Sequence, residues 1–241
     1  MLIGITENSR AGVRCADSLA GMLASNVDRW LWWDWVSRNT DLIRSSLEEH
    51  VILTVTAVGL GLLIALPLGV ASSRWPRIYA PALAVTGVMF TIPSLAAFAF
   101  LIPYTGLSRT TALIPLTSYT LLILLRNVVA GLGAVPAEIK DAADGMGYST
   151  FRRLVRIELP LALPAIMAGV RIATVTIIGL AAVAGLLAIP SLGNLIYVGQ
   201  NRPIRTAVTV GIALSILLAV VADLLLGLVQ RALTPWTRAG A

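Results

Sequence analysis

Charge is scarce in this chain of 241 residues: Asp, Glu, Lys and Arg make up 12% of it, against roughly 25% in a soluble globular protein. That scarcity excludes a chain living mainly in water, and with it both a soluble enzyme and a disordered tail. Cysteine is nearly absent as well. Cys15 stands alone, so no internal disulfide forms and a disulfide scaffold is excluded. Histidine is limited to His50; a lone imidazole without ligand residues around it makes no metal site, and at the start of an apolar run it reads as an interfacial residue. The single lysine, Lys140, has no GxxxxGK[ST] frame around it, which removes the usual phosphate cradle for a nucleotide. Residues 1–29 lack a charged start followed by a continuous apolar run, so no cleavable signal is expected and the first span directs insertion.

What the chain has in quantity is apolar length: 57% of its residues are apolar and the mean hydropathy is +0.86. A helix crossing a hydrocarbon core of roughly 30 Å at 1.5 Å per residue needs about 20 such residues. Five runs meet that need, at 50–71, 80–102, 110–130, 161–188 and 206–229. The third has the shortest uninterrupted apolar part. The 18 basic residues outnumber the 12 acidic ones, but without the basic and aromatic pattern of a nucleic-acid binder. No nucleic-acid partner is expected, and the basic excess sets orientation in the membrane instead. Nine basic residues fall in 72–79, 126–160 and the tail, against three in 103–109 and 189–205. The long central loop and the C-terminus are therefore expected in the cytoplasm, and the N-terminus outside.

The polar residues divide the chain. Residues 1–49 hold 5 Arg and 7 acidic residues, so 1–29 reads as a polar extension, with Met22 as an alternative start. Residues 30–49 are too charged to span. Helical spacing puts Trp32, Trp35, Val36, Ile43 and Leu47 on one side and Asp34, Arg38, Asp41, Arg44 and Glu48 elsewhere, which predicts an amphipathic helix in the membrane interface. The tryptophans at 30, 32, 33 and 35 diverge around its axis, which suits an interfacial belt better than a cage for a quaternary ammonium. Residues 50–230 form the membrane body and 231–241 a cytoplasmic tail.

Most specific information lies in the loop 136–160, between the third and fourth spans. Pro136 suits a helix start, Glu138 complements the positive helix end, and Gly145 or Gly147 supplies a left-handed stop. Ser149 then caps a second short helix that Pro160 ends. On that helix Phe151, Leu154, Val155 and Glu158 share a face, and Arg152, Arg153 and Arg156 lie on another, free for a partner or phosphate headgroups. The result is a compact knob.

In its spacing this loop resembles the cytoplasmic signature of the permease subunits of ATP-binding-cassette (ABC) importers: EAA, three residues, G, nine residues, I, any residue, LP. The matching residues are Asp141, Ala142, Ala143, Gly147, Ile157, Leu159 and Pro160, with Gly145 inside the same turn. One residue departs, Asp141 standing where the family has Glu. Across 38–200 the chain also resembles the osmoprotectant branch of these permeases, through TIPSL (91–95), LLRNVVAGL (124–132), DAADGMG (141–147) and ELPLALPAIMAGVRIAT (158–174). At 188–199, AIPSLGNLIYVG stands where that branch is richer in glycine.

The resemblance implies an all-α membrane protein with five or six transmembrane helices, the type I ABC importer permease (MetI-like) fold, and a coupling loop on the cytoplasmic face. It implies import of glycine betaine, choline, carnitine or proline betaine through the bacterial cytoplasmic membrane. The same machine carrying an amino acid is the first alternative, and an ion-coupled secondary carrier comes from another class. The chain itself would be no enzyme and bind no cofactor, with ATP and Mg on a separate ATPase dimer. Further implied partners are a second permease copy or a similar permease, a periplasmic or lipid-anchored binding protein, and the bilayer.

Within the spans, Pro93 frees backbone carbonyls beside Thr91 and Ser94, and irregular backbone at membrane depth lines a cavity or is buried. Thr91, Pro93, Ser94, Arg171, Thr174 and Asn194 are therefore the expected pathway residues. Arg171, deep in the fourth span, either meets substrate or satisfies partners inside the bundle. Asp223 is expected to reach water or to pair with Arg171 or Arg231. Ala165, Gly169 and Ala173 form a small face for close helix contact.

Overall fold

The computed structural model describes residues 30–187, 189–202 and 204–238. The extension 1–29 and the start at Met22 lie outside the described residues. In chain order the helices are α1 (Trp33–Arg38), α2 (Thr40–Arg74), α3 (Pro76–Thr91), α4 (Ser94–Thr105), α5 (Arg109–Gly133), α6 (Ala137–Gly145), α7 (Thr150–Arg153), α8 (Leu159–Ala184), α9 (Leu192–Asn201) and α10 (Arg205–Leu233). A π turn (Leu154–Glu158) joins α7 to α8, and no strand occurs among the described residues.

Helix α5 lies at the centre, packed between α2 and α8, with α3 and α4 also against it. Small residues allow the close approach: Gly61 of α2 abuts Thr120 and Gly169 of α8 abuts Asn127. The expected small face of α8 is thus occupied by α5. Leu53, Ala57, Leu116, Leu124, Ala173 and Ile177 form the main core, and Val128, Leu132, Ala162 and Ile166 a second one toward the central loop. Helix α10 is the least enclosed, with none of its apolar centre buried; it packs on α8 and α9.

Four helices are long and apolar enough to cross a membrane, and α3 with α4 form a bent pair meeting at 89°. The run 80–102, expected as one span, is therefore broken. Pro93 has no N–H, and a residue before proline favours extended backbone; Ile92 accordingly has ψ 125°. The freed Ile92 carbonyl accepts from the Tyr119 hydroxyl at 2.8 Å, so α5 supplies the partner that the break removes. The pair still goes from one end of the bundle to the other. Arg74, just before α3, binds Glu158 and the Thr150 carbonyl of the central loop, whereas Arg109, just after α4, pairs with Glu49 at the opposite end of α2.

Two further sequence expectations change. The segment 30–49 divides at Asn39, whose side chain donates to the Trp35 carbonyl at 2.8 Å and closes α1; residues 40–49 continue directly into α2. The predicted apolar side is correct, but Trp32, Trp35, Val36, Ile43 and Leu47 pack onto Leu192, Leu195 and Ala207 of α9 and α10. Trp30 and Trp33 remain exposed, and the Arg205 guanidinium lies 5.3 Å from the centre of the Trp30 ring. The second correction concerns Pro160, which does not end the helix begun at Ser149. The chain stays helical from Thr150 to Leu187, because the wide turn at Leu154–Glu158 shifts the hydrogen-bond register just before a residue with no N–H to donate.

Candidate functional site

The central knob is built from its glycine turn outward. Helix α6 ends with the Gly147 N–H on the Asp144 carbonyl (3.0 Å) and the Tyr148 N–H on the Ala143 carbonyl (3.1 Å), the paired bonds of a Schellman stop. Gly147 carries φ +78°, so it is the left-handed residue, and Gly145 is the last helical one. Ser149 then caps α7 by accepting from the Arg152 N–H at 3.4 Å.

Charge fixes the knob to the membrane helices. Glu158 is buried, its side chain 6% exposed, and it accepts from Arg153 Nε at 2.9 Å and from Arg74 at 3.2 Å. Arg153 also pairs with Asp144 on α6. Two carboxylates and two guanidiniums thus join α2, α6 and α7. This corrects two expectations: Glu158, buried, does not share a face with the exposed Phe151, and Arg153 is turned inward. Arg152 and Arg156 stay exposed. So do Phe151, at 75%, and Met146, at 68%, the most exposed of the large apolar groups on the knob, with Ile139 and Val155 less so. Of the motif residues, Asp141, Ala142, Gly145 and Gly147 are exposed, Ala143 is buried, and Ile157, Leu159 and Pro160 are half-buried at the root of α8.

The pathway residues are not brought together. Thr91 and Pro93 lie exposed at the bend, with Ser94 half-buried, and the Thr91 hydroxyl donates to the Val88 carbonyl at 2.7 Å. Thr174 is buried, bonded to the Val170 carbonyl, and lines an apolar cavity of about 430 Å³ between α2, α8 and α10. Arg171 lines different cavities, shared with Asp223. Its Nε and one terminal nitrogen each reach an Asp223 oxygen at 2.8 Å, a bidentate pair, so the expected pairing of Asp223 with Arg171 is the one formed. Asn194 belongs to α9, near the far end of α8.

That far end holds a residue the sequence placed wrongly. His50 is fully buried. Its Nδ1 accepts from the Leu192 N–H at 3.2 Å, so the ring proton sits on Nε2, which donates to the Ile178 carbonyl at 3.1 Å. One neutral ring therefore joins α2, α8 and the first turn of α9, satisfying an N–H that the helix leaves orphaned. Position 50 at the head of an apolar run gave no sign of this, because its partners are backbone groups more than 120 residues away. His50→Leu is expected to lower the stability of the detergent-extracted protein by about 1–3 kcal/mol, the cost of an unpaired buried group. His50→Gln, which keeps one bond, should lose less in the same thermal melts, and equal melting of all three proteins would contradict the bridge. Among the described residues no three His, Cys, Asp or Glu side chains cluster as a metal site would require.

Compared with known proteins, residues 57–235 match the model of the family described as binding-protein-dependent transport system inner membrane component. The chain belongs to this family of transport permeases. Among its relatives, the choline transport system permease protein OpuBB of Bacillus subtilis (strain 168) is 35% identical over 187 residues, 78% of this chain and 86% of that one. The glycine betaine/carnitine/choline transport system permease protein OpuCD of the same organism is 35% identical over 202 residues, covering 83% and 88%. In three dimensions the permease fold resembles the MetNI methionine ABC transporter in an inward-facing conformation, with TM-score 0.72 and 22% identity over 81% of this chain and 97% of that one. At that identity the likeness speaks for the fold alone. The all-α MetI-type architecture expected of a permease is the one present.

Proposed function

We propose that this chain is the membrane-spanning subunit of an ATP-driven importer in the bacterial cytoplasmic membrane, carrying quaternary-amine osmoprotectants such as glycine betaine, choline, carnitine or proline betaine. The observation that carries this reading is identity of about a third, over some four-fifths of the chain, to permeases of choline and of glycine betaine, carnitine and choline. The permease pairs with a second copy or a similar permease, receives substrate from a periplasmic or lipid-anchored binding protein, and leaves ATP and Mg to a separate ATPase dimer. It binds no cofactor and catalyses no reaction itself.

The knob is the coupling element, with Asp141, Ala142, Ala143, Gly145, Gly147, Ile157, Leu159 and Pro160 as its motif. Phe151 and Met146 suit it for insertion into a groove on the ATPase. Because α7 runs on into α8 and Glu158 fastens Arg74, a push on the knob reaches both α8 and α2 without a flexible joint. Such a lever favours rigid-body rocking of the helices. Thr91, Pro93 and Ser94 at the bend, with Thr174 and Asn194, remain proposed pathway residues.

The test is ATP-dependent uptake by the complete complex in vesicles, with glycine betaine, choline and an amino acid supplied in turn. Uptake of the amino acid alone would overturn the substrate assignment. Gly147→Val is expected to uncouple hydrolysis from uptake while leaving the spans inserted. The effect comes from the backbone and not from crowding: a side chain at Gly147 meets nothing within 4 Å, but a branched residue at φ +78° costs about 1–3 kcal/mol. Gly147→Asn, which tolerates that angle better, should keep most of the coupling.

A further inference from the structure

Arg171 and Asp223 both lie inside apolar spans, where charge is expensive. Asp223 lies six residues inside the end of the apolar run 206–229, about 9 Å along the axis and so within a roughly 30 Å core. Arg171, twelve residues into α8, meets it there. The side chains are nevertheless 35% and 38% exposed. Charged groups at this depth turn to a protein interior or to water and not to acyl chains. Beside the pair opens a cavity of about 460 Å³ lined by Ala168, Arg171, Ile172, Val175, Thr176 and Asp223.

The pair holds itself together without using all its hydrogen-bonding capacity. A guanidinium has five N–H donors; two serve Asp223, and a third points to Gln230 Oε1 at 3.4 Å. Gln230 is itself steadied by donating to the Pro164 carbonyl at 3.3 Å. Two donors remain on Arg171, and each Asp223 oxygen, having accepted one bond from Arg171, keeps a lone pair. A ligand with both charges can therefore lie antiparallel along the pair, anion to guanidinium and cation to carboxylate, without breaking it.

We propose that this cavity is an intramembrane subsite for a quaternary-ammonium carboxylate, its carboxylate on Arg171, its onium beside Asp223 and its methyl groups against Ala168, Ile172 and Val175. The inference rests on reading the chain as an osmoprotectant permease. Since each protein charge is already compensated by the other, the site holds its ligand weakly, as a transit site must.

The experiment uses the complete reconstituted complex, first shown to import glycine betaine, with Cys15→Ser removing the single native thiol and Thr176→Cys placing one in the cavity wall. A membrane-impermeant methanethiosulfonate is expected to modify that thiol, and glycine betaine at ten times its Kd to slow the reaction about tenfold by mass action. A thiol that reacts only with a lipid-soluble maleimide, or equally fast with and without betaine, overturns the proposal. The neutral pair Arg171→Gln with Asp223→Asn gives a second measurement. It is expected to raise the KM for betaine about tenfold and that for cationic choline less, at an unchanged amount of folded complex. Equal KM values for wild type and variant overturn the subsite, and if the double variant does not fold, the thiol protection decides alone. Absence of any osmoprotectant import by the wild-type complex counts instead against the underlying reading.

Discussion

Replacing Gly193 with valine is expected to leave little folded protein in the membrane. A Cβ at Gly193 would stand 1.7 Å from the Ala182 carbonyl oxygen and 2.6 Å from its carbon, and a Cβ at Gly185 would stand 2.1 Å from the Gly193 carbon. Both obstacles are backbone, so no side chain can turn aside to make room. The end of α8 would have to leave the start of α9, and that separation pulls the Leu192 N–H from His50 and disturbs the packing of Leu192 and Leu195 on Trp35. Overpacking a core costs about 1–3 kcal/mol when side chains can shift, and here the larger figure is a floor. The measurement is the amount of monodisperse protein recovered after detergent extraction, with Gly179→Val as the control. Gly179 has nothing within 4 Å of its would-be Cβ, so it should extract like wild type. Equal recovery of the two variants would contradict the close approach.

How much of this was legible in the sequence depends on the range over which the physics acts. Apolar runs of about 20 residues mark spans because the bilayer thickness is written directly into segment length; four of the five runs are long helices, and the run 80–102 is the bent pair α3 and α4. Turn chemistry is similarly local. The glycine stop after α6 and the Ser149 cap of α7 each involve neighbours a few residues apart. Pro160 misled because its expected effect, ending a helix, was escaped by a π turn that no residue type announces. The side of residues 30–49 that is buried was readable from periodicity, yet what covers it was not, since a membrane interface and the helices α9 and α10 present the same apolar requirement. Glu158 and His50 were misplaced for a related reason. Each has a partner at long range, 84 residues away for Glu158 and 142 for His50, and a single sequence records a side chain's chemistry but not the distant group that answers it.

Among those long-range partners, Glu158 is where loss of one group is expected to cost the most function. Its carboxylate accepts from Arg153 and Arg74, and it is the charged tie between the knob and the end of α2, beside the longer Arg74 bond to the Thr150 carbonyl at 3.4 Å. Glu158→Leu removes the charged tie and leaves Arg74 with only the Thr150 carbonyl, and Asp144 as the remaining carboxylate on Arg153. Arg153 and Arg74 keep 17% and 23% exposure, so water compensates part of the loss. A net cost of about 2 kcal/mol, within the range for hydrogen bonds to charged groups, follows. The spans should still insert, because the cores around Leu53 and Val128 do not involve Glu158. The expected outcome is a complex that hydrolyses ATP at close to the normal rate while uptake falls about tenfold or more, together with faster proteolysis in the turn 146–149. Glu158→Gln, which keeps an acceptor but not the charge, should fall between. A double-mutant cycle with Arg74→Leu isolates the tie: if Glu158 acts through Arg74, the second substitution adds less than its single effect. Full additivity, or an unchanged ratio of uptake to hydrolysis in Glu158→Leu, would show that force enters the membrane helices along α8 alone.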